Sequence, residues 1–350
     1  MGGVPLQQSY MPLGQPGHPM QLQPSSMLQR PSSLSQQPYM SQQQPYMSHP
    51  QPSHSQQPYA SSYPQQPYTS SLAQPSVAVL TTAVLPPPGY ACDQNEKHRK
   101  YMEDAHTVIP DLEGLLYCGM YDGHGGSAAV EFVQAQLHVA LAAELRAGGG
   151  GQLGRNATDV HAAFARSFAK VDRMLMQTGA FSCGTTAAVC LLYRPLATLA
   201  VLHVANVGDS RALLVGCLGA KRLSVDHRPD EEGERQRLQR EGIRVANGRV
   251  QGSLAVSRAL GDHSLKSVQG GVSCEPYCIS HSVEPDDLAL VLASDGLWDF
   301  VTDEDVHAAV IRGLDATPPV PAADIAESLV RLALTKGSRD NVGVLLVPLS

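Results

Sequence analysis

The chain has 350 residues, of which 43% are hydrophobic and 16% charged, and a formal net charge of −7. That length fits one large or two ordinary domains. The acidic balance excludes a nucleic-acid binder held by a basic surface. No apolar run is long enough to span a bilayer, and the first residues lack the charged-then-apolar order of a secretory signal. The seven cysteines are odd in number and contain no Cys-x-x-Cys pair. Reduced, buried thiols in a cytoplasmic or nuclear protein are expected, and a structural zinc site is not.

The charge is unevenly spread. Residues 1–85 hold no Asp, Glu or Lys and a single arginine, Arg30, which leaves −8 for the remainder. Gln, Pro, Ser and Tyr dominate the first 75 residues, and Gln-Gln-Pro-Tyr recurs at 36–39, 43–46, 56–59 and 65–68. The irregular spacing argues against a solenoid. So little aliphatic area cannot offset a chain entropy of about 1–2 kcal/mol per residue. A disordered tail over 1–85 is the expectation. Two readings stand for it: a flexible tail without a specific job, or a Pro/Tyr-rich tail that recruits other proteins. Residues 76–90 read as a junction, with an edge strand as one option.

From Tyr90 the texture becomes that of a folded domain, taken as 86–350. Glu103 and Asp104 precede the strand-like Thr107-Val108-Ile109. Side chains alternate across a strand, so one of these two carboxylates is expected in any site there. The apolar run Leu115–Met120 reads as a buried strand leading to Tyr121-Asp122-Gly123-His124-Gly125-Gly126, followed by a helix over Ser127–Arg146 that Gly148–Gly151 stops. A second helix is predicted over Val160–Gln177, with Phe164, Phe168, Val171 and Leu175 on its core face. Cys183–Leu192 and Thr198–Asn206 read as two strands joined by a loop at Arg194-Pro195. Asn206–Arg211 reads as a polar turn. Glu231–Glu241 reads as a short charged helix with a solvated face. Leu288–Ala293 is a buried strand ending in Ser294-Asp295-Gly296. Thr302 and Asp305 have the spacing of a capping box. A helix over Ala322–Lys336 stops at Gly337, and Val342–Pro348 closes the chain as a strand.

Asp122, Asp295 and Asp340 each flank a strand-like run. Several carboxylates gathered in one place repel unless cations lie between them. An all-oxygen set suits magnesium or manganese rather than zinc. Two such ions can activate water and neutralise a phosphate.

The ordered set Arg99…Met102-Glu103-Asp104, Asp122-Gly123-His124-Gly125-Gly126, Gly184-Thr185-Thr186-Ala187, Asn206–Arg211, Gly252…Ser257–Asp262, Ser294–Asp299 and Ser338–Asn341 resembles the metal-dependent serine/threonine protein phosphatases of type 2C, over about residues 88–350. The resemblance implies an α+β fold, a four-layer α-β-β-α sandwich of two antiparallel sheets flanked by helices. It implies hydrolysis of phosphoserine and phosphothreonine in protein substrates with two Mg2+ or Mn2+ ions and a weaker third. Asp122 would bridge the two ions and the Gly123 carbonyl would bind one. Asp295 and Asp340 would complete the other, and Glu103 would join through water. Asp209 and Asp299, with Asp295, match the weaker third site. Arg99 would hold the phosphate and His124 would act as general acid. The segments Pro229–Gly248 and Asp262–Glu275 are shorter than in the family pattern. A monomer is expected. A non-catalytic scaffold on this fold ranks lower, because every expected carboxylate is present.

Overall fold

The computed structural model describes residues 86–147, 156–196, 199–268 and 270–349. The expected tail over 1–85 and the Gly148–Gly151 helix stop lie outside them. Alternation along the strands sorts the apolar side chains into layers. In β3 (Leu115–His124), Tyr117 and Tyr121 pack with helix residues, while Cys118 and Met120 between them pack against the opposite sheet. In β7 (Arg211–Gly216), Ala212 and Leu214 face that same inner layer, and Leu213 and Val215 face outward to other helices. Strands β13 (Asp287–Ala293) and β14 (Val342–Pro348) alternate likewise, with Leu290, Leu292, Leu345 and Val347 turned inward. Period-two alternation with both faces covered produces two sheets back to back.

The larger sheet orders β11 (Leu260–Gly261), β4 (Gly184–Thr185), β3, β5 (Ala187–Leu196), β6 (Leu199–Val207) and β12 (Tyr277–Ser282), with β2 (Asp104–Leu112) also paired to β3. The other orders β1 (Gly89–Asp93), β14, β13, β7 and β8 (Gly219–Arg222). All their pairings are antiparallel. Helices α1 (Ala128–Ala147) and α2 (Ala157–Met176) cover the larger sheet. The turn α5 (Asp295–Trp298) and helices α6 (Asp303–Leu314) and α7 (Ala322–Thr335) cover the other. The four-layer sandwich is as expected.

Local chemistry accounts for the helix bounds. The Asn156 carboxamide caps α2 by accepting from the Thr158 amide, and Phe164, Phe168, Val171 and Leu175 are fully buried. Each such side chain contributes roughly 1.5–3 kcal/mol of burial. Thr302 accepts from the Asp305 amide at 3.2 Å, capping α6. Gly337, at φ +99°, ends α7.

Several sequence expectations change. The strand predicted over Cys183–Leu192 breaks at Thr186, whose hydroxyl pairs with Ser210 at 2.6 Å and whose amide turns to the Asp122 carbonyl. Arg194-Pro195 lies inside β5 rather than in a loop. The β5–β6 register slips there, which accommodates a residue without an amide hydrogen. All seven cysteines are free, but Cys92 and Cys217 are exposed.

Helix α3 (Glu232–Arg240) forms where expected but is not simply solvated. Leu238 and Glu234 are buried, and Glu234 accepts from Arg237 (2.8 Å), Arg258 (2.7 Å) and Ser257 (2.7 Å). Burial raises its pKa, but the hydrogen bonds from Arg258, Arg237 and Ser257 outweigh that and pull it down to about 2. Breaking such a pair leaves arginines unpaired, at a cost on the order of 3 kcal/mol. Glu234→Ala is expected to destabilise the protein by that order in urea titrations at pH 7. Because the folded pKa lies below the unfolded one, the stabilisation is present above about pH 4.5 and fades as pH falls toward 2. A variant as stable as the parent at pH 7 would refute this anchor.

Candidate active site

The site lies where strands of both sheets end together. Asp104, the first residue of β2, stands opposite Asp122 near the end of β3. From the other sheet, Ser294 and Asp295 follow β13, and Asp340 and Asn341 precede β14. Ser294 ties the sheets. Its hydroxyl donates to Asp104 Oδ2 at 2.6 Å and accepts from the Gly343 amide at 3.1 Å. Asn341 accepts from the Glu103 amide (2.8 Å) and donates to the carbonyls of Gln94 (2.7 Å) and Tyr101 (3.1 Å). Asn95 donates to the carbonyls of Ser338 (2.8 Å) and Asp340 (3.2 Å).

Two glycines make this closeness possible. A Cβ on Gly296 would stand 1.9 Å from the Asn341 carbonyl oxygen, so only glycine can follow Asp295 without displacing the strand that bears Asp340. A Cβ on Gly123 would approach the Glu103 carbonyl to 2.8 Å.

A cavity of about 240 Å³ opens at these ends. Seven of the nine predicted site residues line it: Arg99, Asp122, Gly123, His124, Asp209, Asp295 and Asp340. Glu103 and Asp299 do not. The Glu103 carboxylate turns to the Gly126 amide at 2.8 Å, and its neighbour Asp104 is the one buried beside the cluster. Asp299 sits at the rim, 43% exposed at its side chain, and accepts from Arg228 at 2.7 Å. Arg99 pairs with Asp340.

Electrostatics follows from enclosure. Burial and then the neighbouring Asp104, Asp209 and Asp340 raise the Asp122 pKa well above the carboxylate range, opposed by a hydrogen bond with Asp295. Asp295 is raised well above that range by burial and by Asp122, Asp209, Asp299 and Asp340. Asp104 is pushed up to about 8, chiefly by burial, with Asp295 and Asp340 adding and the Ser294 hydroxyl opposing. These groups hold protons unless cations are supplied. Among the described residues, no three His, Cys, Asp or Glu side chains converge as a finished metal site. The set instead lines a shared cavity, with carboxylate and carbonyl oxygens as its ligand atoms. That chemistry fits magnesium or manganese.

Sequence reasoning left several participants without a role. Asp262, 3% exposed, accepts or shares a hydrogen bond with His124 Nε2 at 2.8 Å. A Cβ on Gly184 would lie 2.1 Å from that carboxylate and 2.7 Å from Nε2, so glycine is needed beneath the pair. Thr186 donates nothing to the cavity by charge but supports the Asp122 amide at 3.2 Å. Arg249, Leu254 and Val256 form another wall. Arg228 donates to Asp209 at 2.9 Å. Asp262, Gly184 and Thr186 had a signal, their place in the quoted motifs.

The protein phosphatase 2C family model matches residues 89–342. Protein phosphatase 2C homolog 1 of Saccharomyces cerevisiae is 33% identical over 274 residues, covering 74% of this chain and 92% of the yeast protein. The Schizosaccharomyces pombe protein of the same name is 33% identical over 264 residues, covering 74% and 72%. The crystal structure of a serine-threonine phosphatase 2C from Toxoplasma gondii superposes with a TM-score of 0.62 at 23% identity, covering 75% of this chain and 97% of that one; this likeness concerns the fold. Membership rests on the family match and the yeast relatives. The chain belongs to the protein phosphatase 2C family of metal-dependent serine/threonine protein phosphatases.

Proposed function

We propose that this cavity hydrolyses phosphoserine and phosphothreonine in proteins by direct attack of water on phosphorus, without a covalent enzyme intermediate. The observation that carries the reading is the arrival of Asp122, Asp295 and Asp340, from three separate strand ends, in one cavity with Arg99 and His124. Asp122, the Gly123 carbonyl, Asp295 and Asp340 would hold two magnesium or manganese ions, with Glu103 reached through water. Such ions supply charge neutralisation for the phosphate and a water acidic enough to serve as nucleophile at neutral pH.

The remaining work falls to the protein. Arg99 is the side chain placed to take the phosphate in a bidentate, charge-assisted contact, exchanging Asp340 for it. His124 gives a proton to the departing seryl or threonyl oxygen. Its Nε2 is engaged by Asp262, which leaves Nδ1 for that oxygen. Asp262 is thus a positioning residue. Arg249 and the Leu254–Val256 wall border the peptide that carries the phosphate.

The wider assignment is a tail over 1–85 joined to a catalytic domain over 86–350, acting as a monomer on phosphoproteins in the cytoplasm or nucleus, with the tail recruiting other proteins. No helix of the described residues is long and apolar enough to cross a membrane.

Phosphate release from a phosphothreonine peptide should require added magnesium or manganese and stop with EDTA. Asp122→Ala should lower its rate by about 100-fold or more, the equivalent of a few kcal/mol of transition-state stabilisation. Near-normal turnover would remove Asp122 from the site. His124→Ala should slow seryl and threonyl peptides far more than an aryl phosphate, whose leaving group needs no proton; equal losses would argue against the acid role. Asp104, Asp122 and Asp295 all have folded pKa values raised above their unfolded ones. The stabilising contribution of Asp104 is therefore full below about pH 4 and is lost as pH rises toward 8, and Asp122 and Asp295 act in the same direction. In EDTA the melting temperature should fall between pH 5 and 8, by roughly 2–4 °C per kcal/mol. Added manganese should restore it most at the upper end. A metal-free protein that becomes more stable over that range would contradict the electrostatic account.

A further inference from the structure

The edge of the cavity formed by Asp209 and Asp299 already contains a cation. Arg228 Nε donates to Asp209 Oδ2 at 2.9 Å, Nη2 donates to Asp299 Oδ1 at 2.7 Å, and Nη2 stands 3.9 Å from Asp295 Oδ2. One guanidinium thus spans three carboxylates, one from the turn between β6 and β7 and two from the turn α5 and its end. It is also held in place by its own backbone. On the preceding residue, the His227 amide donates to the Gly208 carbonyl at 3.0 Å and the His227 carbonyl accepts from the Ser257 amide at 2.8 Å. Gly208 is the residue before Asp209, so the strand turn that presents the carboxylate also fixes the approach of the arginine.

A divalent ion bound at this edge would need the same oxygens. Magnesium demands oxygen ligands at about 2.0–2.1 Å in octahedral geometry. Asp209, with 4% of its side chain exposed, has its Oδ2 directed at Nε. With Oδ2 committed to Arg228, only Oδ1 is left for a second cation, which would stand beside the guanidinium's positive charge. A planar guanidinium with several fixed donors suits bridging of separate carboxylates better than a compact ammonium would.

We propose that Arg228 is a built-in cation that closes the Asp209/Asp299 edge to a further divalent ion. Only the Asp122, Asp295 and Asp340 side is then left for exchangeable metal, and a third ion enters when Arg228 is displaced outward. The side chain is 32% exposed, so an outward path exists without opening the core. The inference rests on the two-ion reading above, and it replaces open competition for a third site with an intramolecular competitor.

The test counts bound manganese on the full-length chain by electron paramagnetic resonance of free Mn2+, for the parent, Arg228→Ala and Arg228→Lys. The parent should bind two ions over a concentration range in which Arg228→Ala binds three. The third ion should bind at least about tenfold more tightly in Arg228→Ala, the scale of losing one charge-assisted hydrogen bond. Arg228→Lys should fall between them. Adding Asp299→Asn to Arg228→Ala should weaken the third ion again. Equal stoichiometry and affinity in the parent and Arg228→Ala, with two ions in each, would overturn the inference and leave the two-ion reading intact. No manganese on any variant would overturn both. If Arg228→Ala does not fold, Arg228→Gln, neutral but able to keep the hydrogen bond to Asp209, carries the same comparison.

Discussion

Like charges held together against their repulsion are the constraint on which this structure turns. Asp104, Asp122, Asp209, Asp295 and Asp340 arrive from separate strand ends, and their neighbours make ionisation of Asp104, Asp122 and Asp295 harder. Repulsion among such groups is strong in an enclosed, low-dielectric place. It must be met either by cations or by a frame stiff enough not to spread. The frame is the pair of sheets, whose shared inner layer of Cys118, Met120, Leu202, Val204, Leu214, Leu290, Leu292, Leu345 and Val347 locks both to one distance. The hydroxyl of Ser294 and the carboxamides of Asn95 and Asn341 add the local stitching. Arg99, beside Asp340, and Arg228, beside Asp209, contribute positive charge.

This arrangement separates tasks between parts of the chain. The strand ends hold what must not move. The segment between β8 and β11 is held together around Glu234 of α3, which pairs with Arg237 and Arg258, while Arg237 also reaches the carbonyls of Ser257 and, beyond β11, Gly271. Beside these pairs the segment packs a small apolar cluster of its own, Leu238, Val250, Val256 and Ala259 with Val272 from beyond β11, separate from the layers of the sheets.

Much of the fold was legible because its determinants are local. The core stripe of α2, the Thr302 cap, the Gly337 stop and the bounds of β14 depend on residues a few positions apart. The carboxylates at strand ends were legible as types, and the family motifs supplied their grouping. What escaped depends on distant partners. Whether Glu103 or Asp104 faces the cluster is decided by Gly126 and by Ser294, 190 positions from Asp104. The solvated reading of α3 failed because the arginine that buries Glu234, Arg258, is 24 residues away. The pairing of His124 with Asp262 spans 138 residues, and no periodicity encodes it.

Among the described residues, strand β1 pairs with β14 alone, in a register running from Gly89 opposite Leu346 to Asp93 opposite Val342. Just past its end, Asn95 grips the carbonyls of Ser338 and Asp340. A pull applied to the chain ahead of Gly89 would load these pairings lengthwise, in shear, and pass tension into the backbone that carries Asp340. The domain is thus mechanically wired so that tension ahead of Gly89 has a short, hydrogen-bonded route to one wall of the cavity that Asp340 lines.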